Sequence, residues 1–282
     1  MLARAAPFLF VFLWSTGFLG AKYGLPHAAP LAFLLVRYLL VIGLMATIAL
    51  LWRAPWPRNG RQWLHIGSSG LMVHGLYLSG VFIAISKGLP AGMASLVVGM
   101  QPLLTATLAG RLLGETVLPR QWLGLVLGFI GVALVVSHKL GAGFGADALW
   151  PVLMALVGIT AGTLYQKRFC PHFDWRSGAV AQFLPTALIT ALLVFASDGF
   201  RIDWTGEFMF ALGWLVLVLS VGAISLLNWL IRHGSAVNVA SLFYLTPPTT
   251  ALLAWLLFGE TLTGLALAGM ALAVWGVYLS RR

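Results

Sequence analysis

A few side chains in this sequence carry chemistry, and nearly all of them interrupt long apolar runs. Arg37 sits in PLAFLLVRYLLVIGLMATIALL, where a guanidinium can fork onto a carboxylate or snorkel back toward the nearer helix end. His74 has Tyr77 three residues on, so a helix presents both on one face. An imidazole there can bond a substrate amine or carboxylate and titrate near neutrality, or be satisfied by a neighbouring helix. Trp14-Ser15-Thr16, Gln101-Pro102 and Thr246-Pro247-Pro248 fall midway along further apolar runs. Proline frees backbone carbonyls and kinks a helix, so these segments read either as site linings or as packing devices. Thr163, Ser225, Asn228, Trp229 and Tyr244 are weaker candidates of the same kind, equally readable as interhelical packing.

Other chemistries find little support. No Asp or Glu lies centrally in an apolar run, and no Walker A, dinucleotide fingerprint or HExxH motif occurs. Gly67-Ser68-Ser69-Gly70 matches the GxSG of intramembrane serine proteases. A nucleophile there needs a neighbouring helical His and an oxyanion hole. His233-Gly234 is the candidate base, but Ser69 falls in the cytoplasmic half of its run, within a repeat that explains the chain better. His27, His65, His138, His172 and His233 are scattered near run ends and form no metal motif, so neither a metal nor a cofactor is expected. The single cysteine, Cys170, excludes an internal disulfide.

The elements that must position these groups follow from composition. Of 282 residues, 60% are hydrophobic and 9% charged, against about 45–50% and about 25% in ordinary soluble domains. Mean hydropathy is +0.95. Soluble enzymes, disulfide scaffolds and disordered chains are excluded, and a polytopic membrane protein is predicted. A membrane helix needs roughly 20 apolar residues. Ten such runs are predicted near 5–24, 30–52, 63–86, 90–112, 119–138, 147–167, 176–197, 207–231, 235–258 and 263–280. The first reads as a retained helix, because no small-x-small cleavage site precedes Lys22. With ten spans both termini share a side. That side carries 12 of the basic residues, against 4 on the other, with Arg37 inside a span. The positive-inside rule puts both termini in the cytoplasm. The net charge of +10 then reflects topology and anionic headgroups, not nucleic acid.

The chain also repeats. Shifted by 145 positions, residues 91–137 match 236–282 at 15 of 47 positions. Pro102 pairs with Pro247, Thr105 with Thr250, Gly124 with Gly269 and Gly131 with Gly276. Gly114-Glu115-Thr116 recurs as Gly259-Glu260-Thr261. The glutamates follow glycines at helix ends and read as caps for the next helix or partners of a loop base. Gly124-x3-Gly128 and Gly269-x3-Ala273 read as close-packing faces. The fold class predicted is an all-α integral membrane protein of ten helices, as two five-helix repeats (1–140 and 141–282). Five is odd, so the second repeat is inverted. Such repeats build one midplane site with two related gates.

With these residues quoted, the chain resembles the drug/metabolite transporter superfamily in its ten-helix EamA-type form. The carrying features are Trp14-Ser15-Thr16-Gly17-Phe18, Pro30…Arg37, and the duplicated Pro102/Pro247, Gly114-Glu115/Gly259-Glu260 and glycine-spaced last helices. The resemblance spans essentially the whole chain. It implies a basket around a central cavity and, through the YddG-type amino-acid exporters, export of small metabolites. Amino acids, aromatic ones included, are the expected substrates, carried across a bacterial inner membrane by alternating access and by a monomer. A drug or nucleotide-sugar carrier is the alternative, and the protease the remote one. The proton-coupled small multidrug members use a helix-1 carboxylate. Here that region reads Trp14-Ser15-Thr16, so facilitated export is the simpler expectation. The site lining expected is Trp14, Ser15, Thr16, Arg37, His74, Tyr77, Gln101, Thr163, Tyr244 and Thr246.

Overall fold

The computed structural model describes residues 2–89, 91–137, 146–196, 199–258 and 262–280. The helices follow the hydropathy pattern closely. They are α1 (Leu2–Gly24), α2 (Pro30–Leu51), α3 (Gly60–Ser86), α4 (Ala91–Val98 continued by Gln101–Leu113), α5 (Pro119–Val136), α6 (Leu149–Phe169), α7 (Trp175–Ala196), α8 (Gly206–His233), α9 (Ala236–Ser241 to Thr246–Phe258) and α10 (Gly264–Ser280). Within the described residues α2, α3, α4, α6, α7 and α8 are long and apolar enough to cross a bilayer. The apolar stretches of α1, α5 and α10 are shorter.

Local chemistry places the ends. Pro30 and Pro119 open α2 and α5 where a missing N–H costs nothing. Asn59, Thr205 and Ser235 accept side-chain caps from Gln62 N, Phe208 N and Asn238 N. Gly114 closes α4 at φ 69°, which a residue with a Cβ adopts at a cost.

Large apolar side chains cover much of the surface, while a set of polar side chains lies buried. Phe195, Leu51, Phe8 and Phe210 are 82, 71, 70 and 68% exposed, while Ser15, Ser69, Gln101, Gln166 and Gln182 are buried. Water disfavours such an exterior and hydrocarbon favours it. Buried backbone and side-chain polar groups then pair among the helices.

The helix pairs come in related sets. α3 packs on α6 and α8 on α1; α4 packs on α6 and α9 on α1; α2 meets α7 and α5 meets α10. The last pair is antiparallel and nearly free of side chains. A Cβ on Gly131 would lie 2.5 Å from Ala273 N, and one on Gly269 would lie 2.6 Å from Gly131 O. This is the expected small-residue face, realised between the repeats. The ends match as well. At one end Ala29 N donates to Arg201 O at 3.0 Å. At the end carrying the termini, Ser177 Oγ donates to Pro55 O at 2.6 Å.

The irregularities repeat at the same offset. A π segment, Leu71–Leu76, interrupts α3, and a longer one, Leu215–Ala223, interrupts α8. Adding 145 to 71–76 gives 216–221, inside the second segment. The helix of α4 breaks at Gly99-Met100, just before Gln101-Pro102. That of α9 passes through a 3-10 turn, Leu242–Leu245, just before Thr246-Pro247. The prolines therefore act as the sequence indicated, restarting helices at matching depths. The π segments carry no equally clear signal.

Candidate functional site

A cavity of about 40 Å³ lies between α1, α2, α3 and the π segment of α8, bordered by Trp14, Arg37, His74, Tyr77, Phe82 and Leu219 among others. It has room for a few waters. The Trp14 and Tyr77 rings lie parallel in its wall with centroids 6.1 Å apart. A larger groove of about 480 Å³ opens beside α3, α6 and α7, walled largely by apolar side chains such as Leu76, Ile189 and Leu193.

Both charged candidates depend on the π segments. Arg37 is 3% exposed, and its Nε donates to Ser220 Oγ at 3.1 Å. Ser220 Oγ in turn donates to Leu215 O, five residues back. On the other wall, Tyr38 OH donates at 2.6 Å to His74 O. The π winding widens a helix locally and such segments recur at functional sites. The His74 ring stacks on Phe183 at 4.0 Å and 10° with the Gln182 side chain beside it, and neither ring nitrogen makes a hydrogen bond of good geometry. An imidazole buried with both nitrogens empty is costly, by about 1–3 kcal/mol per unsatisfied group.

The remaining candidates sit on the seams between repeats. Ser15 Oγ, on α1, reaches Thr246 O on α9 at 3.3 Å, and Thr250 Oγ1 donates to Ser15 O. The related seam has Gln101 Nε2 on α4 donating to Thr163 Oγ1 on α6 at 3.4 Å. Gln101 Oε1, Thr246 Oγ1 and Tyr244 OH lack partners. Thr16 accepts from Trp214 Nε1 at 2.9 Å. Tyr244 packs its ring on Gly128 of α5. The structure therefore gathers Trp14, Arg37, His74 and Tyr77 around one cavity. It distributes Ser15, Gln101, Thr163 and Thr246 along the flanking seams, and sets Thr16 and Tyr244 apart.

Of a second polar cluster, sequence reasoning singled out Asn228 as a weaker candidate and passed over Gln182 and Gln166. Gln182 Nε2 donates to Ser69 Oγ and Gln166 Oε1, both at 3.1 Å, and Gln166 Nε2 donates to Asn228 Oδ1 at 2.9 Å. Gln182 equals Arg37 plus 145, so the repeat marks it. Ser220 was legible only as one hydroxyl in LVLVLSVGA. Ser69 of the GxSG motif is spent in this cluster, donating to Ile66 O. His233 instead bonds Trp229 O.

Glu115 takes an unexpected partner. Both carboxylate oxygens accept from Ala236 N at 3.0 Å, so it caps α9 of the other repeat instead of the helix that follows it. A carboxylate is well placed at a helix N-terminus. Gly259 and Glu260, its counterparts, lie outside the described residues.

The profile of the EamA-like transporter family matches the chain twice, over residues 4–137 and 148–282. The chain belongs to the EamA-like transporter family. It is thereby a member of the drug/metabolite transporter superfamily, with the ten-helix repeat fold. An uncharacterized transporter of Bacillus subtilis, YvbV, is 30% identical over 95% of this chain and 88% of its own. Proteins named probable amino-acid metabolite efflux pump are 29% identical in Salmonella typhimurium and 28% in Escherichia coli K12. Each aligns over 96% of this chain and 92% of its own length. A crystal structure at 23% identity superposes with a TM-score of 0.79, covering 97% of this chain and 94% of the other, which supports the fold alone. Within this EamA-like frame, the matched π segments line the cavity, and the broken helices α4 and α9 carry the seams beside it.

Proposed function

We propose that this EamA-like protein exports small organic metabolites, amino acids and aromatic ones among them, from a bacterial cytoplasm through a site between its two halves (1–140 and 141–282). The observation that carries the reading is the cavity at the π segments. It is walled by helices of both repeats and holds Arg37, with an unsatisfied His74 and two parallel aromatic rings. Arg37 offers donors to a carboxylate, His74 and Gln101 offer unsatisfied atoms to polar groups, and Trp14 and Tyr77 offer faces to an apolar side chain. At about 40 Å³ the cavity is smaller than any such substrate, so this is a contracted form and the halves must part for entry. Inverted repeats allow that parting on either side of a fixed site. The named efflux pumps among the relatives support the direction and the substrate class.

The basic bias supports cytoplasmic termini in the inner membrane, and a reporter fused after Arg282 is expected to be active in the cytoplasm. Purified protein in proteoliposomes, offered a panel of labelled amino acids with and without a pH gradient, tests the whole reading. Flux of at least one is expected, insensitive to the gradient, because the described acids all lie at helix ends or in loops. No flux of any member would overturn it.

A further inference from the structure

This inference rests on the exporter reading and names the part of the substrate that is recognised. Arg37 is buried, tethered at Nε to Ser220, and lines the cavity. Four of its five N–H groups belong to the two Nη atoms. The acids among the described residues are engaged elsewhere or sit in loops. Glu115 caps α9, Asp147 pairs with Lys87, Asp174 with Arg176 and Glu207 with His27, while Asp203 lies in the loop before α8. Facing Arg37 instead are Tyr38, Tyr77 and His74. Among the described residues, then, the cavity holds a cation with no carboxylate beside it.

An uncompensated guanidinium in a low-dielectric wall attracts an anion strongly, and its planar fork suits a carboxylate. A bound carboxylate brings the pocket to neutrality. An ammonium, by contrast, meets no described acid there. It finds only aromatic faces and orphan oxygens, and it is repelled by Arg37. We infer that Arg37 is the carboxylate receptor of this transporter and that the amino group is not a recognition element. Amino acids, their N-acylated forms and their 2-oxo counterparts all qualify as substrates, while amines and carboxamides of the same side chain do not.

The test uses the full chain in proteoliposomes with five probes sharing one benzyl group: phenylalanine, N-acetylphenylalanine, phenylpyruvate, phenylalanine amide and phenethylamine. The first three are expected to be carried within a few-fold of one another. The last two should be slower by roughly ten- to a hundred-fold, the value of a hydrogen bond to a charged group. Arg37→Gln, checked for folding by its melting temperature, should erase the gap between N-acetylphenylalanine and the amide. Ser220→Ala, which keeps the charge, should preserve it. Amide or amine carried as fast as the carboxylates would overturn the inference and leave the exporter standing. So would a wild-type rate for phenylalanine with none for the N-acetyl or 2-oxo compounds. Silence of all five alongside flux of another labelled amino acid would overturn this inference alone, and silence of the five and of the whole amino-acid panel would overturn both readings.

Discussion

Alanine at Gly276 is expected to destabilise the protein more than any substitution in the cavity. A Cβ there would stand 2.5 Å from Gly124 O and 2.7 Å from Gly128 Cα, both backbone atoms of α5. Backbone cannot rotate out of the way as a side chain does, so the two helices must move apart. Overpacking of this kind costs about 1–3 kcal/mol. It also removes the close approach on which helix association in lipid depends, where burial of apolar surface gives no drive of its own. The melting temperature in detergent should fall by several degrees, and leucine should prevent the protein from accumulating at all. Gly213→Ala is the control, since a Cβ there meets nothing within 4 Å. Equal melting temperatures for Gly276→Ala and Gly213→Ala would refute the assignment of the α5–α10 contact.

His74→Ala and Gln101→Ala should show the opposite profile, with transport reduced and stability kept. Each residue leaves a buried polar atom unpaired in this contracted form, at about 1–3 kcal/mol. Removing His74 also forfeits its stack on Phe183, worth about 0.5–1.5 kcal/mol. The lost stack and the volume left empty oppose the relief of the unpaired atoms, so melting should shift far less than in Gly276→Ala. A substrate that satisfies those atoms loses about 0.5–1.5 kcal/mol per hydrogen bond, and up to about 3 where its group is charged. That is a few-fold to a hundred-fold in apparent affinity. Residues kept at a cost in stability are a common arrangement in binding sites, and this profile is the one a substrate-binding role predicts. Normal transport by both variants, or a collapse in melting as large as that of Gly276→Ala, would sink this assignment.

The two variant classes also mark what could be read from the sequence. Spans, their order and the duplication follow from hydropathy and from Gly-Glu-Thr and proline in register, because a bilayer imposes length and the repeat preserves spacing. Arg37 and His74 were visible because ionisable groups are rare in hydrocarbon. The π segments were not, since winding by one extra residue changes hydrogen-bond partners without changing composition. With them went Ser220, and the fact that Arg37 reaches across to the second repeat. Gln182 and Gln166 were missed because neutral amides in apolar runs look like ordinary packing until a partner such as Asn228 is seen. Glu115 was recognised as a cap, but which helix it capped depends on how the repeats interlock.

The glycine seam also limits how the molecule can change shape. Along α5 and α10, Gly124, Gly131, Gly269 and Gly276 bring backbone against backbone, with only the first carbons of Leu134 and Leu279 beside the contact. Sliding one helix along the other by an ångström would drive a carbonyl into a nitrogen, and there are no rotamers to absorb the step. Pivoting about the line of contact is left free. Under the proposed export cycle the seam is expected to serve as a fulcrum, with the cavity helices α1, α3 and α8 as the arms that swing. Spin labels at the exposed Leu123 and Trp275 should keep their separation through the transport cycle while labels on the arms change theirs, and a changing distance between the first pair would show that the pivot lies elsewhere.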